Sequence, residues 1–301
     1  MLYLRFMSWL TLILISVIFS SLVSIFDKFY CSKKIKSVYS FAFLVNFFYL
    51  FYVATTVIIL KKSFVLDWSI VFSALSGLTY FFMWIFWWKA MVSGEASRVV
   101  AIASVGPVIS AFLAVIFLNE VLSINKWLAI LLVVAGAILC TWEKKKKRGF
   151  NQAYLYAFVA TCFGAVGNII VKFSTTNTHA LVVNSISFFA TFPLFLLMLK
   201  NKEVYIEVKN NLKNIRSFIL LLFRSLIGYS AICFYMLAVG AGPISLVVAV
   251  NSSAPLLVFI YSTLFSIFLP KIVKEELSKE TLFTKSIAIV MIVVGVVVIS
   301  I

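Results

Sequence analysis

Serine, asparagine and proline fall together at two places in this chain, in a pattern suited to holding the polar atoms of a small solute inside an apolar segment. Ser104, Pro107 and Ser110 follow at intervals of three, which sets them on one face of a helix. Asn251, Ser252 and Pro255 mark the like place in the second half. A proline within a membrane helix frees a backbone carbonyl, and a neighbouring hydroxyl or amide can cap that carbonyl or bind a solute. The surroundings recur after a constant 148 positions: Ala90 matches Ala238, Gly94 Gly242, Ser97 Ser245, Val99 and Val100 Val247 and Val248, Ser104 Ser252, and Pro107 Pro255. The chain therefore reads as a duplicated unit, and interrupted helices at corresponding positions of two repeats point to a solute site between them.

Other side chains extend that site. Tyr80 and Trp84 stand four apart on one helical face, and Tyr229 lies in the corresponding run of the second half; aromatic walls of this kind suit an organic solute. Asn168 adds a carboxamide deep in an apolar run. Arg224 lies about two turns inside its run, where a charge needs pairing, hydration or a reach to the headgroups, and it is a candidate countercharge for a carboxylate or phosphate. Asp27 and Lys172 close the first and sixth runs, and Glu95 and Arg98, three apart, open the fourth. These four are the candidates for coupling or gating, with snorkelling to the interface the simpler role for Lys172. Asn46 and Asn184 read as amides that hydrogen-bond between helices. Enzyme chemistry has no residues here: the lone His179 falls in a loop, no thiol or carboxylate cluster has metal-ligand spacing, and no Gly-rich loop precedes Lys-Ser or Lys-Thr. No cofactor is expected, and movement of a solute would run down a gradient, by exchange, or by coupling to protons or sodium.

The elements that must position these residues follow from composition. Of 301 residues 63% are hydrophobic and 12% charged, with a mean hydropathy of +1.12, a profile outside that of soluble domains. One span takes about 20 apolar residues, and the chain divides into ten: about 7–26, 38–60, 68–88, 98–118, 125–142, 152–172, 180–199, 217–238, 243–269 and 283–301. The expected fold is an all-α integral membrane protein. Five spans per repeat is an odd number, so the halves enter the bilayer from opposite sides, as two inverted five-helix repeats. The first repeat covers 1–142, a basic linker 143–151, and the second repeat 152–301. The first run, lacking a small-x-small cleavage site, reads as a retained span. Segment 200–216, with Lys200, Lys202, Lys209, Lys213 and Arg216, reads as a long polar loop. The fifth and tenth spans are aliphatic with one glycine each and are expected to serve packing. The net charge of +16 sits in loops beside apolar runs, which fits topology and anionic lipid headgroups and not nucleic acid. Cys31, Cys140, Cys162 and Cys233 lack metal or redox spacing.

Residues 89–139, KAMVSGEASRVVAIASVGPVISAFLAVIFLNEVLSINKWLAILLVVAGAIL, resemble EamA-type members of the drug/metabolite transporter superfamily. The family's Leu-Gly-Glu ending, followed by a helix with a late glycine, stands here as Leu118-Asn119-Glu120 with Gly136. The second copy is similar through Pro255 and Gly295, but residues 270–281 insert charges, so Glu275 or Glu276 only roughly matches Glu120. Asn168 and Lys172 resemble the small-Asn-x-x-x-Lys ending of such repeats, and Ser24 stands where the second copy has Asn168. The resemblance covers nearly the whole chain and implies the fold and a carrier of amino acids or related compounds.

The expected function is thus secondary transport of small organic metabolites, as a permease or exporter, by alternating access. The cavity is expected near the bilayer midplane between the third, fourth, eighth and ninth spans, with the first and sixth contributing. Expected partners are the small-molecule substrate and a plasma membrane crossed many times, the protein being a monomer or homodimer. The alternative is a non-transporting scaffold or accessory subunit whose proline-bearing helices merely pack. The basic loops follow the odd-numbered spans, which puts both termini outside; the resemblance implies both in the cytoplasm.

Overall fold

In hydrocarbon a helix satisfies every backbone group within one segment, and the apolar runs of this chain take that form. The computed structural model describes residues 8–33, 35, 37–60, 67–93, 99, 102–141, 152–268 and 279–300. Among them lie twelve α-helices: α1 (Trp9–Lys33), α2 (Val38–Leu60), α3 (Ser69–Ser93), α4 (Gly106–Leu118), α5 (Ile124–Thr141), α6 (Gln152–Ser174), α7 (Ala180–Leu197), α8 (Lys202–Lys213), α9 (Ile215–Ala241), α10 (Ile244–Asn251), α11 (Ala254–Phe268) and α12 (Lys279–Ser300). Seven stretches are long and apolar enough to cross a membrane: Trp9–Asp27, Val38–Leu60, Ser69–Met91, Gln152–Ser174, Ala180–Lys200, Ile215–Ala241 and Ile244–Tyr261. Three shorter apolar helices, Gly106–Leu118, Ile124–Leu139 and Ser286–Ile299, accompany them. The chain is an all-α, multi-pass membrane protein. Glu95, Arg98, the basic linker and the pair Glu275–Glu276 lie outside the described residues.

Segment 200–216 corrects the expectation of a loop, because most of it is α8. Asn201 Oδ1 accepts from the Glu203 amide at 2.9 Å and caps the helix. Val204 and Val208, one turn apart, are buried together with Asn211, so a narrow apolar stripe lies on the bundle while the lysines face outward. Asn211 Oδ1 accepts from the Tyr30 hydroxyl at 3.0 Å, and Glu207 Oε2 accepts from the Ser37 amide at 3.1 Å. The helix is thereby tied to the end of α1 and the start of α2.

The long helices pack in antiparallel pairs that join the two halves of the sequence. Along α3, Phe72, Tyr80, Met83 and Phe86 meet Phe173, Gly167, Gly164 and Phe163 of α6 in reverse order. Along α1, Ser16 donates to the Ala231 carbonyl at 2.8 Å and Phe26 meets Phe223, so α9 runs against it. α5 and α12 pack through their glycines, Gly136 and Gly295, as the fifth and tenth spans were expected to. A central apolar cluster gathers Ile13 and Val17 of α1, Ala111 and Ala114 of α4, Val133 of α5 and Val247 to Val250 of α10.

Candidate functional site

The prolines begin helices where the sequence suggested that they sit inside them. The chain turns at Ser104 and Val105, and α4 then starts with Gly106 and Pro107. It turns again at Ser252 and Ser253, and α11 starts with Ala254 and Pro255. In the first turn of a helix the missing proline N–H has no partner to lose, and the ring's fixed φ favours helix. The expected continuous fourth and ninth spans are therefore broken at matching places, and α4 packs on α10 beside the breaks. Ser104 and Pro107 are buried, while Asn251, Ser252 and Pro255 are half-buried. Ser252 Oγ donates to the Val248 carbonyl at 3.1 Å, the carbonyl cap that a hydroxyl beside a helix break can supply.

Asn168 gathers two tyrosines from different helices. Its Oδ1 accepts from the Tyr80 hydroxyl of α3 at 2.7 Å and from the Tyr235 hydroxyl of α9 at 2.8 Å. Gly167 makes this approach possible, since a Cβ there would meet Thr79 Oγ1 at 2.7 Å and Tyr80 Cε1 at 3.2 Å. Trp84, one turn beyond Tyr80, remains 43% exposed. It shares the helical face of Ser73 and Gly77, which meet Ser187 of α7, and not that of the exposed outer row Val71, Leu75, Leu78 and Phe82. Its ring lies 5.5 Å from that of Trp88.

Arg224 and Asp27 form a bidentate pair between α9 and α1. Arg224 Nε donates to Asp27 Oδ1 at 2.7 Å and Nη2 to Oδ2 at 2.6 Å, while Nη1 donates to the Tyr49 hydroxyl of α2 at 2.9 Å. Gly228 leaves the space, because a Cβ there would fall 2.5 Å from the Tyr49 hydroxyl oxygen and 3.1 Å from Nη1. Tyr229 continues the polar and aromatic line. Its hydroxyl shares a 2.8 Å hydrogen bond with Thr56, and its ring stacks 5.8 Å from Tyr52.

A third group holds the turn between α9 and α10. Lys172 Nζ donates to the Val239 carbonyl at 2.8 Å and the Gly242 carbonyl at 2.7 Å, so it turns inward to the end of α9 and does not snorkel outward. Glu120 accepts from the Ile244 amide at 2.7 Å and from the Ser245 amide and hydroxyl at the start of α10. A cation thus sits at a helix C-terminus and an anion at the next N-terminus, each matching the local dipole. Trp9 closes on the same turn, since a Cβ on Gly242 would meet its Cγ at 2.5 Å.

The structure brings Tyr80 to Asn168, Arg224 to Asp27, and Lys172 to the Gly242 turn. It does not join these three groups into one constellation through the bonds described. Asn46 corrects its expected role, because its Nδ2 donates to the Ala42 carbonyl of its own helix at 2.8 Å. Tyr49, Thr56 and the capping work of Glu120 were not legible from spacing. A cavity of about 470 Å³ opens among Tyr39, Ile85, Trp88, Lys89 and Tyr156. Another of about 340 Å³ lies among Asp67, Trp68, Phe72, Phe173 and Asn177. They sit at opposite ends of the α3–α6 pair, and neither is the mid-depth cavity expected between the third, fourth, eighth and ninth spans.

Residues 7–142 match the EamA-like transporter family. An uncharacterized transporter in the cobO 3' region of Sinorhizobium sp is 37% identical over 68 residues, which cover 23% of this chain and 48% of that protein. The uncharacterized protein MJ1333.1 of Methanocaldococcus jannaschii is 40% identical over 50 residues, covering 17% of this chain and 36% of that one. The chain therefore spans about half the length, or less, of these curated relatives. A solved crystal structure superposes with a TM-score of 0.71 at 14% identity, covering 96% of this chain and 95% of that one, which is a likeness of fold.

Proposed function

For a chain whose residues 7–142 match the EamA-like transporter family, we propose a secondary carrier of small organic metabolites that works by alternating access. The observation that carries this reading is the matched pair of helix breaks, at 104–105 and 252–253, each followed by a proline at the second helical position. Breaks of this kind are tolerated at membrane depth where they are buried in protein or line a solvated cavity, and paired in two repeats they are the usual place of a carrier's substrate. Tyr80, Trp84 and Tyr229 serve as walls in this reading, and Ser104, Asn168, Asn251 and Ser252 as polar contacts. Trp84, 43% exposed on the α3 face it shares with Ser73 and Gly77, suits such a wall.

Two inverted five-span repeats, 1–142 and 152–301, accompany the proposal. Seven stretches are long enough to cross a membrane, and three shorter apolar helices would complete ten spans, with α10 and α11 counted as one. The α3–α6 and α1–α9 contacts exchange under the repeat, and the α5–α12 contact maps onto itself, which supports a two-fold relation.

Flux of labelled amino acids and related metabolites into proteoliposomes tests the function. Uptake driven by an opposing gradient of unlabelled solute, lowered at least tenfold by Asn251→Leu, is the expected result. Cysteines placed at Ser104 and Ser252 are expected to react with water-soluble maleimides in the same membranes, with solute slowing the reaction. A protein that moves no solute and stays unlabelled at both positions is a scaffold.

A further inference from the structure

The α1–α9 contact carries a charge pair that its counterpart lacks. Arg224 corresponds to Ser76 under the 148-residue offset, and Tyr49 to Ser187 under the 138-residue offset that matches Asn46 to Asn184. Ser76 Oγ lies 2.9 Å from Ser187 Oγ, as Arg224 Nη1 lies 2.9 Å from the Tyr49 hydroxyl. The same contact is made once with two hydroxyls and once with a guanidinium. Helix packing at this place therefore does not require a charge, and the pair calls for another reason.

The two members of the pair are unequally held. Arg224 is 8% exposed, and its guanidinium lies over the rings of Phe41 and Tyr49 at 5.6 and 5.9 Å. Asp27 keeps 30% of its side-chain surface exposed. The cation is fixed and the anion is the replaceable partner. Ser24, one turn before Asp27, is exposed as well. Ser21 reaches the Ala254 carbonyl of α11 and Asp27 reaches α9. Ser24 falls about 60° from each at 100° per residue, so it opens between α9 and α11.

We propose that Arg224 is the carboxylate subsite of an organic-anion substrate, and that Asp27 occupies it in the resting protein. This rests on the carrier reading and names its substrate class. The two near-parallel bonds to Asp27 show that the fork accepts a planar, two-oxygen anion. Moving α1 away from α9 strands a buried guanidinium, which is costly. An incoming carboxylate removes that cost, so the loaded protein is the one whose helices separate. Asp27 thereby couples movement to occupancy and suppresses empty cycling.

The test uses the purified full chain with acetate, succinate and glutamate, and with acetamide and succinamide as uncharged controls. The carboxylates are expected to raise the unfolding temperature and the amides not. Asp27→Asn, which removes the internal competitor, is expected to tighten carboxylate binding about tenfold. Arg224→Gln is expected to abolish it, and Asp27→Asn with Arg224→Gln, which leaves no lone charge, guards against loss through misfolding. Carboxylates that leave both wild type and Asp27→Asn unmoved, or that bind the double variant as well as wild type, overturn the proposal. Flux of uncharged or cationic solutes without carboxylate binding overturns it while sparing the carrier reading. Carboxylate binding lost with Arg224, but with no flux of any solute, supports the subsite and removes the carrier.

Discussion

Gly136 of α5 and Gly295 of α12 face each other's helix reciprocally. A Cβ on Gly136 would come within 2.8 Å of Ile292 Cγ1 and 3.0 Å of the Ala288 carbonyl oxygen; one on Gly295 would come within 2.5 Å of Val133 Cγ2 and 3.0 Å of the Ala129 carbonyl oxygen. Small residues are what let two helices approach this closely in a membrane. Gly136→Val and Gly295→Val are each expected to lower stability by about 1–3 kcal/mol through overpacking. Thermal unfolding in detergent reads the cost, and a neutral result at either position contradicts the contact.

Asn168 is the common acceptor of two phenols, so its loss strands both. Asn168→Leu is expected to cost about 1–3 kcal/mol for each hydroxyl left buried without a partner. Tyr80→Phe alone costs less, since Tyr235 still donates. In the Asn168→Leu background Tyr80→Phe is expected to cost nothing further, and a double-mutant cycle in unfolding free energy measures that coupling.

Glu120 holds the first turn of α10, and Glu120→Ala is expected to destabilise it by about 0.5–2 kcal/mol, as for other lost N-caps. Amide exchange at Ile244 and Ser245 should quicken while exchange in α2 stays as before. Lys172→Met strands the Val239 and Gly242 carbonyls and is expected to quicken exchange at the same turn. Equal exchange in both variants and wild type rules the clamp out.

His179 caps α7, with Nδ1 accepting from the Leu181 amide at 3.3 Å. Burial holds its imidazole below the ordinary value of 6.5. The unfolded chain takes up this proton first, so the group's contribution to stability is complete above pH 6.5 and is lost as pH falls through the folded value. His179→Asn keeps a capping acceptor without the titration, and its unfolding temperature should vary less between pH 7.5 and about 5 than that of wild type.

Continuous apolarity was the legible signal. Val38–Leu60 and Gln152–Ser174 lie within two residues of the runs read from composition, because their few polar side chains do not interrupt the apolar run. α8 was hidden, since its buried face is narrow and its lysines dominate the average. Pro107 and Pro255 announced a disturbance at the right depth, but a proline alone does not say whether a helix bends or restarts. The pairing of Arg224 with Asp27 joins residues 197 apart and depends on how two antiparallel helices are offset, which spacing along one helix does not carry. Glu120 carried a family motif, and its task became visible only when the Gly242 turn lay beside it.

The tie made by α8 has a mechanical consequence. Through Asn211 and Glu207 it grips Tyr30 and Ser37, on either side of the connection between α1 and α2. A tilt of α7 or α9 at that end drags the first hairpin along, so one corner of the bundle travels as a single lever.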